Sequence, residues 1–135
     1  MTHVQSMLDA HPKDPGSVDR TKLAECIQAC FDCAQTCTAC ADACLSEDMV
    51  AELTTCIRTN LDCADICAAT GKILSRHTGS ATDTTRSVLK ACRAACQACA
   101  DEREQHASMH RHCQVCAEAC RQCEHACGEL LASLG

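Results

Sequence analysis

Along most of the chain, apolar and small residues return every third or fourth position, the interval that gathers them on one face of an α-helix. From 26 to 44 the returning residue is always cysteine: Cys26, Cys30, Cys33, Cys37, Cys40 and Cys44. The steps run 4, 3, 4, 3, 4, the a/d seam of a heptad, where Leu and Ile normally sit. Cys113, Cys116, Cys120, Cys123 and Cys127 repeat the pattern near the C-terminus, and Cys92, Cys96 and Cys99 carry it on another segment. Cys56, Cys63 and Cys67 give a further seam, with Asn60 at the step where one more cysteine would fall. All 17 cysteines therefore lie on seams that would face inward.

The pattern predicts an all-α chain. A short helix over Thr2 to Ala10 stops before Pro12, and Pro15-Gly16 reads as a linker. Four long helices follow, over about 18–45, 47–76, 81–105 and 108–133, in segments rich in the helix formers Ala, Leu, Glu, Gln and Arg. Ser17 or Asp19 would cap the first, Ser46 the second and Ser108 the fourth. His77-Thr78-Gly79-Ser80 is the clearest turn. The break near 105–108 has no Gly or Pro, but one helix from 81 to 133 would be about 80 Å long, too long for so small a domain. The expected architecture is an antiparallel, up-down-up-down four-helix bundle over 18–133 with a short helical lead-in over 1–16.

Composition sharpens the picture. The 135 residues suit one domain and include one Phe, no Trp and no Tyr. The large side chains that normally offset chain entropy are scarce, so either cysteine packs as a small hydrophobe or a ligand completes the core. The first residues lack the basic run and apolar stretch of a secretory signal, and nothing is apolar enough to span a membrane. A cytoplasmic, reducing setting is expected, where disulfides rarely persist. An odd number of cysteines also rules out full internal pairing. The net charge of −6, with no basic stripe, speaks against a nucleic-acid partner.

What chemistry suits such seams? A single inward cysteine is usually packing, but a core of Cys and Ala throughout would be loose. Cysteines at i, i+3 or i, i+4 on a regular helix are poorly placed for disulfides. Structural zinc uses four convergent ligands, often in separate knuckles, and iron–sulfur ligands cluster on loops; these continuous stripes show no such grouping. Cu(I) is soft, selects thiolate and accepts two or three ligands. Each Cu(I)–thiolate unit is neutral, so a dry tube can fill without accumulating charge, with protons released as metal replaces them. A divalent ion bound one per thiolate would leave buried positive charge.

The two ends of the bundle should differ. Extending the seams one way reaches Leu23, Leu74, Leu89 and Leu130, with Leu131 and Leu134 beyond: an apolar plug. The other way they reach Met49, Arg103, His106, Met109 and His110, and His112 lies one turn before Cys116. Imidazole and thioether are competent Cu(I) ligands, so this end reads as the mouth. His125 is off the seam, and His3, His11 and His77 have no assigned role. Ile27, Phe31, Ile57 and Leu61 form a second, outer stripe that either packs between helices or makes a contact between copies of the chain.

CIQACFDCAQTCTACADAC at 26–44 and CQVCAEACRQCEHAC at 113–127 resemble the copper storage proteins, in particular their cytosolic branch. The resemblance covers about 18–133. It implies a four-helix bundle that holds many Cu(I) ions inside, for sequestration and detoxification, usually as a homotetramer. It also implies that cysteine lines the tube and that His or Met sits near the open end. Those roles fall here on the 17 cysteines and on His106, His110 and His112. Copper would arrive from a donor such as a cytosolic copper chaperone. Asn60 departs from the seam, which makes its amide oxygen a conceivable ligand. Two other readings stay open. A copper-responsive regulator would need fewer ligands and a basic face. A thiol redox protein or other enzyme would need a substrate site, and none is evident; no catalysis is expected.

Overall fold

The computed structural model describes residues 2–14, 16–76 and 82–134. Pro15, the expected 77–80 turn and residue 81 lie outside the described residues. The elements are α1 (His3–Ala10), α2 (Arg20–Leu45), a 3-10 turn over Val50–Leu53, α3 (Thr54–Ser75), α4 (Asp83–Glu104) and α5 (Arg111–Ser133). α2 packs on α3, α3 on α4, α4 on α5 and α5 back on α2, closing a ring of four. Direction follows from which cysteines meet. Cys26 of α2 faces Cys127 of α5, and Cys33 faces Cys120. Cys67 faces Cys92 across α3 and α4, and the Asn60 amide faces Cys99. Cys92 meets Cys123 across α4 and α5. The order is reversed across α2 and α5 and across α3 and α4; Phe31–Gly71 and Ala41–Asn60 reverse it between α2 and α3, and Arg93–Gly128 and Asp101–Arg121 between α4 and α5, so each neighbour runs antiparallel to the last.

α1 begins with a capping box: Gln5 N–H donates to Thr2 Oγ1 at 3.2 Å, and Thr2 N–H to Gln5 Oε1 at 2.9 Å. Val4 and Leu8 of α1 rest on the bundle core. Arg20 ties the lead-in to α2 through the Leu8 carbonyl at 2.8 Å. Of the two expected caps for α2, Asp19 is the one used, accepting from Lys22 N–H at 3.0 Å.

Two expected caps are overturned. Ser46 does not start the second long helix; it ends α2, donating its hydroxyl to the Asp42 carbonyl at 3.2 Å. The chain then turns through Val50–Leu53 and becomes α-helical only at Thr54. Leu53 explains the delay. It is fully buried in the core, and seating it takes the tighter 3-10 turn. Ser108 likewise caps nothing, and α5 starts at Arg111. The carbonyl of His106 accepts from both Met109 N–H at 3.0 Å and His110 N–H at 3.1 Å. Backbone bonds thus carry the connection that a serine side chain was expected to carry. Thr82 caps α4 through Thr85 N–H at 3.1 Å.

All 17 cysteines are buried. Leu23, Leu74, Leu89 and Leu130 are fully buried at the end where α2 and α4 start and α3 and α5 finish, with Leu131 and Leu134 packed against them. Each such Leu is worth about 1.5–3 kcal/mol of burial, which small thiols cannot match. The outer stripe divides between its two readings: Ile27 is buried and packs within the chain, whereas Phe31 and Leu61 remain exposed. Phe31 lies over Gly71, where a Cβ would come within 2.8 Å of its ring.

Candidate metal centre

The four seams converge on one axis, and most of their sulfurs form a net. Neighbouring Sγ atoms stand 3.6–4.0 Å apart, from Cys37–Cys120 at 3.6 Å to Cys30–Cys92 at 4.0 Å. Some contacts are along one helix, such as Cys33–Cys37 and Cys63–Cys67, both 3.8 Å. Others cross the tube, such as Cys37–Cys99 at 3.9 Å. With metal–thiolate bonds of about 2.3 Å, two sulfurs on one trigonal ion stand about 4.0 Å apart, and on a linear ion about 4.6 Å. The thiol net therefore already has nearly the spacing that shared Cu(I) requires.

The sulfurs do gather in fours, which corrects the expectation of ungrouped stripes. Cys30, Cys92, Cys123 and Cys127 form one set; Cys33, Cys63, Cys67 and Cys96 another. Cys33, Cys37, Cys63 and Cys120 form a third, and Cys37, Cys99, Cys116 and Cys120 a fourth. The grouping escapes the sequence because each of these sets draws on three helices. The sets also share members: Cys33, Cys37, Cys63 and Cys120 each belong to two. Separate tetrahedral ions could not fill overlapping sets, whereas bridged ions can.

Protons are shared across this net. Hydrogen bonding with Cys127 holds Cys26 at about 5, and with Cys120 it holds Cys33 at about 6, each against burial. Their counterparts Cys127 and Cys120 are pushed up, by neighbouring thiols first and by burial as well.

The mouth is polar. Cys40, Cys44, His112 and Cys113 form a set of their own. His112 Nδ1 lies 3.4 Å from Cys40 Sγ and 3.7 Å from Cys113 Sγ. Its Nε2 meets Glu47 Oε2 at 3.0 Å. His110 Nδ1 meets the same oxygen at 2.7 Å, and the two rings stack at 5.4 Å. His106 stands apart, facing Glu102 at 3.9 Å. Glu102 also accepts from the Cys56 thiol at 3.2 Å. Burial first, then Glu102, pushes Cys56 up to about 12. Met49 packs against the core, whereas Met109 is exposed. His125 is exposed, as its position off the seam suggests.

Below this rim sit the two seam positions that are not cysteine. Arg103 and Asn60 are both fully buried. Arg103 Nη1 donates to Sγ of Cys40 and of Cys44, each at 3.7 Å. A guanidinium only donates, so the amide turns its oxygen to it. Asn60 Oδ1 accepts from Arg103 Nη1 at 2.7 Å and from Ala41 N–H at 3.2 Å. The other end of the amide faces Sγ of Cys99 and Cys116, at 3.2 and 3.3 Å. The Asn60 oxygen is thus committed to Arg103, not free to bind metal. Cys40 is held at about 4, by hydrogen bonding with Cys116 first and with His112 and Arg103 adding to it, against burial. Burial pushes its neighbours Cys44 and Cys113 up.

Glu47 and Glu102 are the residues that sequence reasoning missed. Glu47 lies in the connection after α2, outside any periodic pattern, and only the fold brings it beneath His110 and His112. Glu102 is one position before the seam residue Arg103, and nothing local marks it.

One family, described as copper storage protein, matches residues 19–132. Among solved structures, a copper storage protein from Streptomyces lividans loaded with 10 copper equivalents is 61% identical. It superposes with a TM-score of 0.94 over 97% of this chain and 99% of that one. A cytosolic copper storage protein from the same organism, with five coppers, is 64% identical at a TM-score of 0.85, covering 89% of this chain and 100% of its own. Metal-free copper storage protein 3 from Bacillus subtilis is 33% identical at 0.67, over 82% and 97%. Among curated proteins none matches.

Proposed function

The chain belongs to the copper storage protein family, and on that premise we propose that it sequesters many Cu(I) ions as thiolate clusters inside the bundle, in the cytosol, as a sink against free copper. The observation that carries this reading is the set of 17 buried, unpaired thiols, most of them in sulfur contact, with four-sulfur sets that share members. Sharing lets copper ions bridge from set to set, and a one-to-one ratio of Cu(I) to thiolate keeps the dry interior near neutral. The cysteines are the storage ligands. His106, His110 and His112 serve the rim, where neutral imidazole takes Cu(I) from a donor such as a copper chaperone and passes it to thiolates beneath. His112, already beside Cys40 and Cys113, is the hand-over ligand. The exposed apolar side chains Phe31, Leu45, Leu61 and Val115 supply surface for a homotetramer, and no catalytic step is assigned.

The test is anaerobic Cu(I) titration followed by native mass spectrometry. Saturation is expected on the order of one Cu(I) per thiol. Saturation at four or fewer ions per chain would sink the storage reading.

A further inference from the structure

Arg103 occupies the next seam step of α4 after Cys96 and Cys99, where the pattern calls for another thiol or an apolar side chain. It is the largest fully buried side chain among the described residues. A buried cation is costly unless an anion accompanies it. Here the customary partner is missing. Glu102, next in sequence, faces His106 and the Cys56 thiol, and among the described residues no carboxylate stands within ion-pair distance of Arg103. Its Nη1 reaches only two sulfurs and the Asn60 oxygen. Its Nε and Nη2 have no hydrogen-bond partner among the described residues. The guanidinium is therefore a fixed positive charge facing a wall of thiols, with donors to spare.

Charge accounting says what it is for. Each Cu(I) that replaces one thiol proton leaves the tube's charge unchanged, so a tube filled one-to-one needs no counter-ion. A buried permanent cation is balanced only if its surroundings hold one thiolate more than they hold Cu(I), that extra thiol proton having left to solvent. We propose that Arg103 is the built-in counter-ion of an anionic Cu(I)–thiolate cluster formed by Cys40, Cys44 and their neighbours just below the mouth. The Asn60 amide holds the guanidinium in place while its other end faces Cys99 and Cys116. With an extra thiolate, a Cu(I) in this layer has a third sulfur to bind, so Arg103 sets both the charge and the coordination of copper there. The residue acts through the cluster as a positioning residue and is not itself a ligand. This inference rests on the storage reading.

The test compares wild type, Arg103→Gln and Arg103→Lys, each also carrying Cys44→Ser, by anaerobic competition with a chromophoric Cu(I) chelator. Arg103→Gln should bind its mouth-layer copper at least tenfold more weakly, in keeping with breaking a buried charge pair. Arg103→Lys, which keeps the charge, should stay within about threefold of wild type. Cys44→Ser removes the surplus thiolate, so Arg103→Gln should cost little in that background, a coupling read from the double-mutant cycle. An equal cost in both backgrounds overturns the proposal, because it marks a packing role. So does an Arg103→Lys variant at least tenfold weaker than wild type, which decides the matter even if Arg103→Gln fails to fold. Low saturation of the wild type overturns the storage reading; full saturation of the wild type with an unaffected Arg103→Gln overturns this one.

Discussion

Cys37 is the sharpest place to test whether the sulfurs act as a shared net. Its Sγ stands 3.6 Å from Cys120, 3.7 Å from Cys116, 3.8 Å from Cys33 and 3.9 Å from Cys99. It belongs to two four-sulfur sets. Cys26, by contrast, meets Cys127 at 3.8 Å and belongs to none of the four sets named above. If copper bridges neighbouring thiolates, Cys37→Ser opens two sets at once and should lower capacity by about two Cu(I), whereas Cys26→Ser should cost about one or less. The substitution keeps the shape of the side chain and makes it slightly smaller. A buried hydroxyl without a partner costs about 1–3 kcal/mol, but on a helix it can bond the carbonyl four residues back. Thr36 and Thr38 do so on this same helix, each at 2.8 Å. The fold should therefore survive, as far-ultraviolet circular dichroism would confirm. Native mass spectrometry of both variants under anaerobic saturation gives the counts. Equal losses from the two, or an undiminished Cys37→Ser, would refute the shared net.

At the rim, replacing His106, His110 and His112 together by Phe should slow copper uptake in stopped-flow mixing yet leave final capacity almost unchanged. If uptake keeps its rate and Leu130→Ala accelerates it instead, copper passes through the other end. Cu(I) should displace Zn²⁺ completely under anaerobic, reducing conditions, because divalent ions filling overlapping sets leave charge in a dry tube; zinc that resists displacement contradicts this. The metal-free chain should be helical and cooperatively folded on its leucine end, with Cu(I) raising its Tm through binding to the native state; a metal-free chain without helix refutes this. Burial works to lower the pKa of His112, but Cys40 and Glu47 outweigh it and raise it above its ordinary value. The folded chain therefore holds that proton more tightly than the unfolded chain. The stabilisation is full below about pH 6.5 and is lost as pH rises through the higher folded value. The Tm advantage of metal-free wild type over His112→Phe should shrink as pH rises above about 6.5; a constant gap counts against it.

The seams were legible because periodicity and residue type coincide. A cysteine every 3.5 residues marks the buried face and the chemistry together, and the plug of Leu23, Leu74, Leu89 and Leu130 follows by extending the same lines. Caps were less legible. Ser46 has the same side chain whether it ends one helix or starts the next, and the burial of Leu53, a tertiary event, decides between them. Ser108 lost its expected part to backbone bonds that no residue type announces. The four-sulfur sets were invisible for a related reason: Cys37 and Cys120 are far apart in sequence and meet only once the ring closes. Arg103 was placed at the right end, but its burial depends on Asn60 from α3 and on Cys40 and Cys44 from α2. Periodicity left open whether Ile27 packs inside or meets another copy, because it knows nothing of α1, whose Val4 and Leu8 settle onto that side.

The leucine end has a consequence for the order of traffic. A tube sealed at one end behaves as a stack: what is deposited last is withdrawn first. On the proposed reading that copper enters and leaves at the histidine rim, Cu(I) beside Cys26 and Cys127, against Leu23 and Leu130, would leave only past the sites nearer that rim. Withdrawal is then graded by depth as well as by bond strength. A competitor outside the protein can reach only the uppermost layer at any moment, while the deeper ions form a reserve that is released only when those above have gone.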